Sequence, residues 1–305
     1  IAALVAVIIL IFISKFQKPR LQKVLKTPFE DSSASSWAEE YPRPQMKRDS
    51  YISLCGEWEL SVKKNGKEKS LGSIRVPFPP ESRLSGIERE LHRGESYIYK
   101  KTFSLPDGFD VGKVIIHFGA IDQKASVYFN GKLIGEHTGG YLPFSFDITK
   151  SLTDSENTLI VEVEDATDVE LPYGKQRKKR GGMWYTPISG IWQPVWLESV
   201  PKNYITSLRI TPTLDSVTID TAGGEAEKLI AIKLPSGVCE RRYSGDSITL
   251  CIDDPILWTP DNPYLYEFTL SSGKDKISSY FALRTVSIVS KNQKSYLVIA
   301  FFGRY

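Results

Sequence analysis

Groups able to act as metal ligands or nucleophiles are few and scattered along this 305-residue sequence. The three histidines, His92, His117 and His137, fall outside the H-E-x-x-H spacing that turns two imidazoles toward one zinc ion. Cys55, Cys239 and Cys251 are odd in number and form no C-x-x-C, so they make neither a zinc knuckle nor a disulfide framework. They read as small buried hydrophobes, with a Cys239–Cys251 bridge as the one pairing to weigh. No metal and no cofactor are expected. The G-x-S-x-G elbow, the Walker loop and the dinucleotide glycine fingerprint are absent as well. Catalysis by a carboxyl pair needs two acidic groups facing each other about 5 Å apart. The neighbours Glu39–Glu40 and Asp253–Asp254 do not meet that need. Adjacent side chains on a strand point to opposite faces, and acids in turns bond nearby backbone N–H groups or water. No catalytic residue is assigned.

Groups suited to binding are more concentrated. Lys175-Gln176-Arg177-Lys178-Lys179-Arg180 puts five basic residues into six positions. A nucleic-acid patch and a solvated loop bracketed by Gly174 and Gly181-Gly182 are the two readings. The run has no interleaved aromatics and the net charge is only +3, so the loop reading is preferred and no nucleic-acid partner is expected. Trp192 and Trp196, four apart in a strand-like run, read as core packing. Trp184 and Tyr185 follow the glycine pair and are placed to stack on a sugar ring, whose C–H face suits an aromatic plane. Burial in a sandwich is the competing reading for both.

The elements that must position these residues are strands. Leu159, Val161 and Val163 alternate with Ile160, Glu162 and Glu164, and Tyr264, Tyr266, Phe268 and Leu270 alternate with Leu265, Glu267 and Thr269, which predicts strands with one buried face. Asn130-Gly131 between SVYF and KLIG predicts a two-residue type I′ hairpin turn. After residue 45 no window keeps i, i+3, i+4 apolar spacing, so the fold class is all-β, in antiparallel sandwiches. Residues 1–14 are almost wholly apolar and read as a helical transmembrane or signal-anchor segment, with the protein membrane-associated and its side of the membrane open. Residues 15–44 read as an extended lead-in, with the folded part starting near Met46. A boundary is expected at Val200-Pro201, giving domains at 45–200 and 201–290, followed by a short tail at 291–305.

A string of words in this order resembles the non-catalytic part of glycoside hydrolase family 2, the family of β-galactosidases, β-glucuronidases and β-mannosidases. They are EYPRPQM (40–46), VPFPPES (76–82), HFGAID (117–122), FNGKLIGEHTGGYLPFSFDIT (129–149), GKQ (174–176), SGIWQPVWLE (189–198), LWTPDNPYLY (257–266) and YFALRTV (280–286). The resemblance implies a jelly-roll sugar-binding domain followed by an immunoglobulin-like sandwich, and then a (β/α)₈ barrel carrying both catalytic glutamates. A barrel takes about 250 residues. The sequence ends at Tyr305, so the expectation is a chain without its barrel, by truncation or a change of frame near Tyr296. Two words depart from the family. Gly181-Gly182-Met183 stands where many members place an acid that reaches the sugar, and Ala282 replaces a glycine in YFALR.

The function implied is that of the amino-terminal part of a glycosidase acting on O-glycosyl bonds, without turnover of its own. A stand-alone membrane-anchored carbohydrate-binding or interaction module is the alternative. The expected partners are a carbohydrate ligand, the missing barrel and, through residues 1–14, a membrane. Sugar contact is expected from the loops around VPFPPES, GKQ and MWYT. Glu81, Gln176, Trp184 and Tyr185 are the candidates, because polar hydrogen-bonding groups beside an aromatic platform are what sugar recognition needs. Packing against the barrel is the competing role for the same loops. The face left without its barrel is expected to be apolar and to drive self-association.

Overall fold

The computed structural model describes residues 40–109, 112–165, 171–172, 174–177, 181–291 and 294–300. The apolar segment 1–14 lies outside them, and no helix among the described residues is long and apolar enough to cross a membrane. The described chain is all-β, broken only by short 3₁₀ turns at Pro44–Met46, Arg83–Ser85 and Thr149–Ser151.

The first sandwich stacks a six-stranded antiparallel sheet on a four-stranded one. The larger runs in the order Lys67–Val76, Gly56–Lys64, Glu95–Phe103, Asn157–Glu164, Lys124–Phe129, Lys132–Thr138. The smaller runs Tyr51–Ser53, Val195–Val200, Lys113–Phe118, Phe144–Asp147. Alternation builds the core between them. Leu159, Val161 and Val163 are fully buried from one sheet and Val114, Ile116 and Phe118 from the other, in a single apolar cluster. Each such side chain contributes about 1.5–3 kcal/mol by leaving water. Asn130 and Gly131 both have positive φ, 48° and 77°, as a type I′ turn requires. The Asn130 side chain also reaches the neighbouring strand, donating to Asn157 Oδ1 and accepting from the Thr158 N–H, both at 2.8 Å.

The second sandwich pairs a three-stranded sheet (Ile205–Pro212, Ser216–Gly223, Ser247–Cys251) with a four-stranded one (Gly237–Ser244, Glu227–Leu234, Tyr266–Ser272, Asp275–Phe281). Its own core gathers Val217, Ile219, Ile230, Ile232, Phe268, Leu270 and Phe281. A separate antiparallel hairpin follows, Thr285–Lys291 paired with Lys294–Ala300, its second strand in the stretch expected to be a short tail. The thiols also depart from the expectation. Cys55 and Cys239 are half-buried, Cys251 is exposed and all three are free, because Cys239 and Cys251 lie on strands of different sheets.

Tyr41, inside the stretch expected to be a lead-in, is buried and donates to the Met46 carbonyl at 2.8 Å. Met46 joins the second core, and Glu198, on a strand of the first sandwich and 1% exposed, is the hub of a buried polar network. It accepts hydrogen bonds from Tyr41, from Arg43 at 2.9 Å, from Arg48 at 2.9 Å and from the Trp196 indole at 3.2 Å, with His117 Nε2 at 3.5 Å. Arg48 continues to Asp275 of the second sandwich at 2.8 and 2.9 Å and to the Ile205 carbonyl at 2.7 Å. One arginine thus ties the entering chain to both sandwiches. Burial alone pushes Glu198 up, but the neighbouring His117 imidazole and the Arg43 and Arg48 charges hold it well below the usual carboxylate range.

Candidate functional site

Four loops of the first sandwich are tied together beside the short strand pair Ile121–Asp122 and Gly190–Ile191. Glu81 holds the loop that leads into that pair: Ser189 donates its N–H to Oε2 at 3.1 Å and its Oγ–H to Oε1 at 2.6 Å. Gln176 binds the next turn. Its Oε1 accepts the Ile188 N–H at 2.6 Å, and its Nε2 reaches the Tyr141 hydroxyl at 3.5 Å. Trp192 closes the ring of contacts by donating from Nε1 to the Gly140 carbonyl at 2.8 Å. It is half-buried, set edge-on to Tyr141 with 6.0 Å between centroids, so it serves this loop cluster rather than the core. Trp196 does pack inside, 4% exposed and stacked on His117.

Main-chain bonds hold the aromatic pair in place. The Tyr185 N–H donates to the Lys175 carbonyl at 2.8 Å and the Arg177 N–H to the Tyr185 carbonyl at 3.2 Å, which zips 175–177 to 184–185. The zipper sets the Arg177 guanidinium over the Trp184 ring, 4.0 Å from its centroid. Trp184 is half-buried under that cap. Tyr185 is 69% exposed, and Met183 (60%), Leu142 (70%) and Tyr141 (44%) are exposed on the same tied loops. Of the four residues named from sequence, Tyr185 presents its ring to solvent, Trp184 presents what Arg177 leaves uncovered, and Glu81 and Gln176 face inward as ties.

Beneath the loops lies an acidic group with no counter-charge among the described residues. Asp122 is 2% exposed, its Oδ1 has no hydrogen-bond partner, and a Cβ on Gly140 would lie 2.5 Å from that oxygen. Gly190, at φ 79°, is packed as closely: a Cβ there would lie 2.0 Å from the Tyr99 hydroxyl. Burial, with Asp165 and Glu81 nearby, pushes Asp122 up to about 7. Burial likewise carries Glu81 to about 7, against the Ser189 bonds that pull it down. Two neighbouring carboxyls with raised pKa are what acid–base catalysis uses. Here Asp122 is sealed under Gly140 and Glu81 has both oxygens on Ser189, so neither offers a free carboxyl to a substrate. Among the described residues no group of three or more His, Cys, Asp or Glu is arranged to hold a metal ion.

Asp122, Tyr141, Trp192 and Arg177 were not singled out for this site from sequence. For Tyr141 and Asp122 the signal was their place in the GGYLPF and HFGAID words; for Arg177 it was the basic run.

Comparison with known proteins adds the following. Residues 80–193 match the model described as glycosyl hydrolase 2 galactose-binding domain-like, and residues 203–284 match that of glycosyl hydrolases family 2. The chain is similar to a β-galactosidase of Thermoanaerobacter pseudethanolicus, 29% identical over 193 residues, covering 56% of this chain and 25% of the relative. It is similar to a β-glucuronidase of Streptococcus agalactiae serotype V, 23% identical over 277 residues, 82% of this chain and 46% of the relative. A solved β-glucuronidase of Bifidobacterium dentium, complexed with coumarin-3-O-glucuronide, superposes with a TM-score of 0.68 at 23% identity, over 84% of this chain and 51% of that one. The chain therefore spans between a quarter and about half the length of these relatives.

Proposed function

Because the chain belongs to glycoside hydrolase family 2, whose two matched domains hold more than half of its residues, we propose that it is the sugar-contacting, non-catalytic amino-terminal part of a glycosidase acting on O-glycosyl bonds. The first sandwich is read as the jelly-roll sugar-binding domain over 45–200, and the second as the immunoglobulin-like domain over 201–290. The observation that carries this reading is the loop cluster. Exposed Tyr185 and Tyr141 flank polar groups on loops that Glu81, Gln176 and Trp192 hold in fixed relation. An exposed aromatic face beside hydrogen-bonding groups suits the C–H face and hydroxyls of a pyranose. The second sandwich is proposed to meet a catalytic barrel, with the groove of about 580 Å³ lined by Pro44, Ala231, Val238 and Leu265 as part of its apolar surface.

Turnover is proposed to require groups beyond those described here, since both raised carboxyls are engaged or sealed. The full chain, assayed against nitrophenyl β-galactoside, β-glucuronide and β-mannoside, is expected to release nitrophenol at the uncatalysed rate. Release above that rate, lost on Glu81→Gln or Asp122→Asn, would place the chemistry within the sandwich and overturn the non-catalytic assignment.

A further inference from the structure

Resting on that sugar-contact reading, we propose that the loop cluster selects an acidic glycan, one bearing a carboxylate or a sulfate ester, and that Arg177 is the residue that recognises the acid group. A guanidinium is a planar fork of donors matched to two oxygens of an oxyanion, and stacking on an aromatic face fixes that plane while leaving its N–H edges free. Arg177 is held in that way, 4.0 Å from the Trp184 centroid, with its own backbone zipped to Tyr185. It is exposed, and no described carboxylate pairs with it or with the exposed Lys175 beside it. Two half-buried arginines of the first sandwich do have such partners: Arg75 pairs with Glu57 and Arg89 with Glu95. A guanidinium stacked on Trp184, paired with no described carboxylate and next to an exposed tyrosine, is suited to a sugar whose ring lies on Tyr185 while its charged substituent meets Arg177.

Tryptophan fluorescence of the full chain reads the interaction directly, because Trp184 lies under the guanidinium. The probes are a galacturonate trisaccharide, a sulfated galactose trisaccharide, neutral galactotriose and a single-stranded oligonucleotide of matched charge, all at one salt concentration. The proposal expects at least one acidic sugar to bind about tenfold or more tightly than galactotriose, the scale of one charge-assisted bidentate contact. Whichever acidic sugar binds tighter identifies the acid group. Arg177→Ala is expected to remove the preference for the acidic sugars over galactotriose, and Arg177→Lys to restore only part of it, since lysine lacks the planar fork. Equal binding of acidic and neutral sugars, a preference that survives Arg177→Ala, or an oligonucleotide that binds as tightly as the acidic sugars would each overturn it. If no sugar binds at all, the sugar-contact reading itself fails, and this inference fails with it.

Discussion

Replacing Glu198 by alanine is expected to lower the unfolding free energy by about 3–5 kcal/mol, the scale for breaking a buried ion pair and stranding its partner. The loss is large because a single carboxylate serves Tyr41, Arg43, Arg48 and the Trp196 indole, and Arg48 is itself only 3% exposed. Without Glu198, Arg48 keeps Asp275 and the Ile205 carbonyl, so the second sandwich holds its grip while the first loses it. Urea unfolding of the full chain at pH 7, followed by tryptophan fluorescence, measures the difference. The pH dependence has a definite sign. A carboxyl held below its unfolded value stabilises the fold above the unfolded pKa, about 4.3 for glutamate, and that contribution fades as pH falls through the lower folded value. The gap between wild type and variant should therefore narrow below about pH 4. A change under about 1 kcal/mol at pH 7 would mean that the network carries little of the stability.

Asp122→Asn is expected to act in the opposite direction. An acid whose folded pKa is raised to about 7 costs the folded state whenever it must ionise, so its contribution is most favourable below the unfolded pKa, about 3.9, and is lost as pH rises toward 7. A buried carboxylate with a bare Oδ1 under Gly140 is the physical cause. Asparagine keeps the shape and removes the ionisation. The variant should be more stable than wild type at pH 8, by on the order of 1–3 kcal/mol, and should lose stability less steeply between pH 4 and 7. Unfolding midpoints at pH 5 and pH 8 decide it. A variant weakened equally at both would show that Asp122 is ionised and satisfied in the fold.

How much of this the sequence disclosed depends on the range of the interaction. Leu159, Val161 and Val163, and the Asn130-Gly131 turn, could be read because strand alternation and turn geometry are local properties. The Glu198 hub could not, since its arginine partners lie 150 and 155 residues away and only the folded topology brings them together. Trp192 was misplaced because four-residue spacing on one side of a strand does not tell a core position from one beyond the strand's end. The exposure of Cys251 was missed for a similar reason: its small apolar side chain fits a buried or an open site equally well.

The loop cluster was half legible. The words that carry Glu81, Gln176, Trp184 and Tyr185 marked loops that the fold brings together, but side-chain direction within a loop follows from hydrogen bonds that no periodicity encodes. Glu81 and Gln176 turned inward to Ser189 and Ile188. The basic run contains no aromatic of its own, yet Arg177 finds one seven residues on, because main-chain pairing folds 184–185 back against 175–177.

The central claim is that these loops form a carbohydrate-contacting surface on a chain that does no hydrolysis alone. Saturation-transfer difference NMR on the full chain, with methyl β-galactoside and methyl β-glucuronide, tests it most directly, since it reports which ligand protons touch the protein. The account predicts transfer concentrated on the ring C–H protons of at least one glycoside, reduced severalfold by Tyr185→Ala, an exposed position whose loss should leave the fold intact. No transfer to either sugar, or transfer unchanged in Tyr185→Ala, would contradict it.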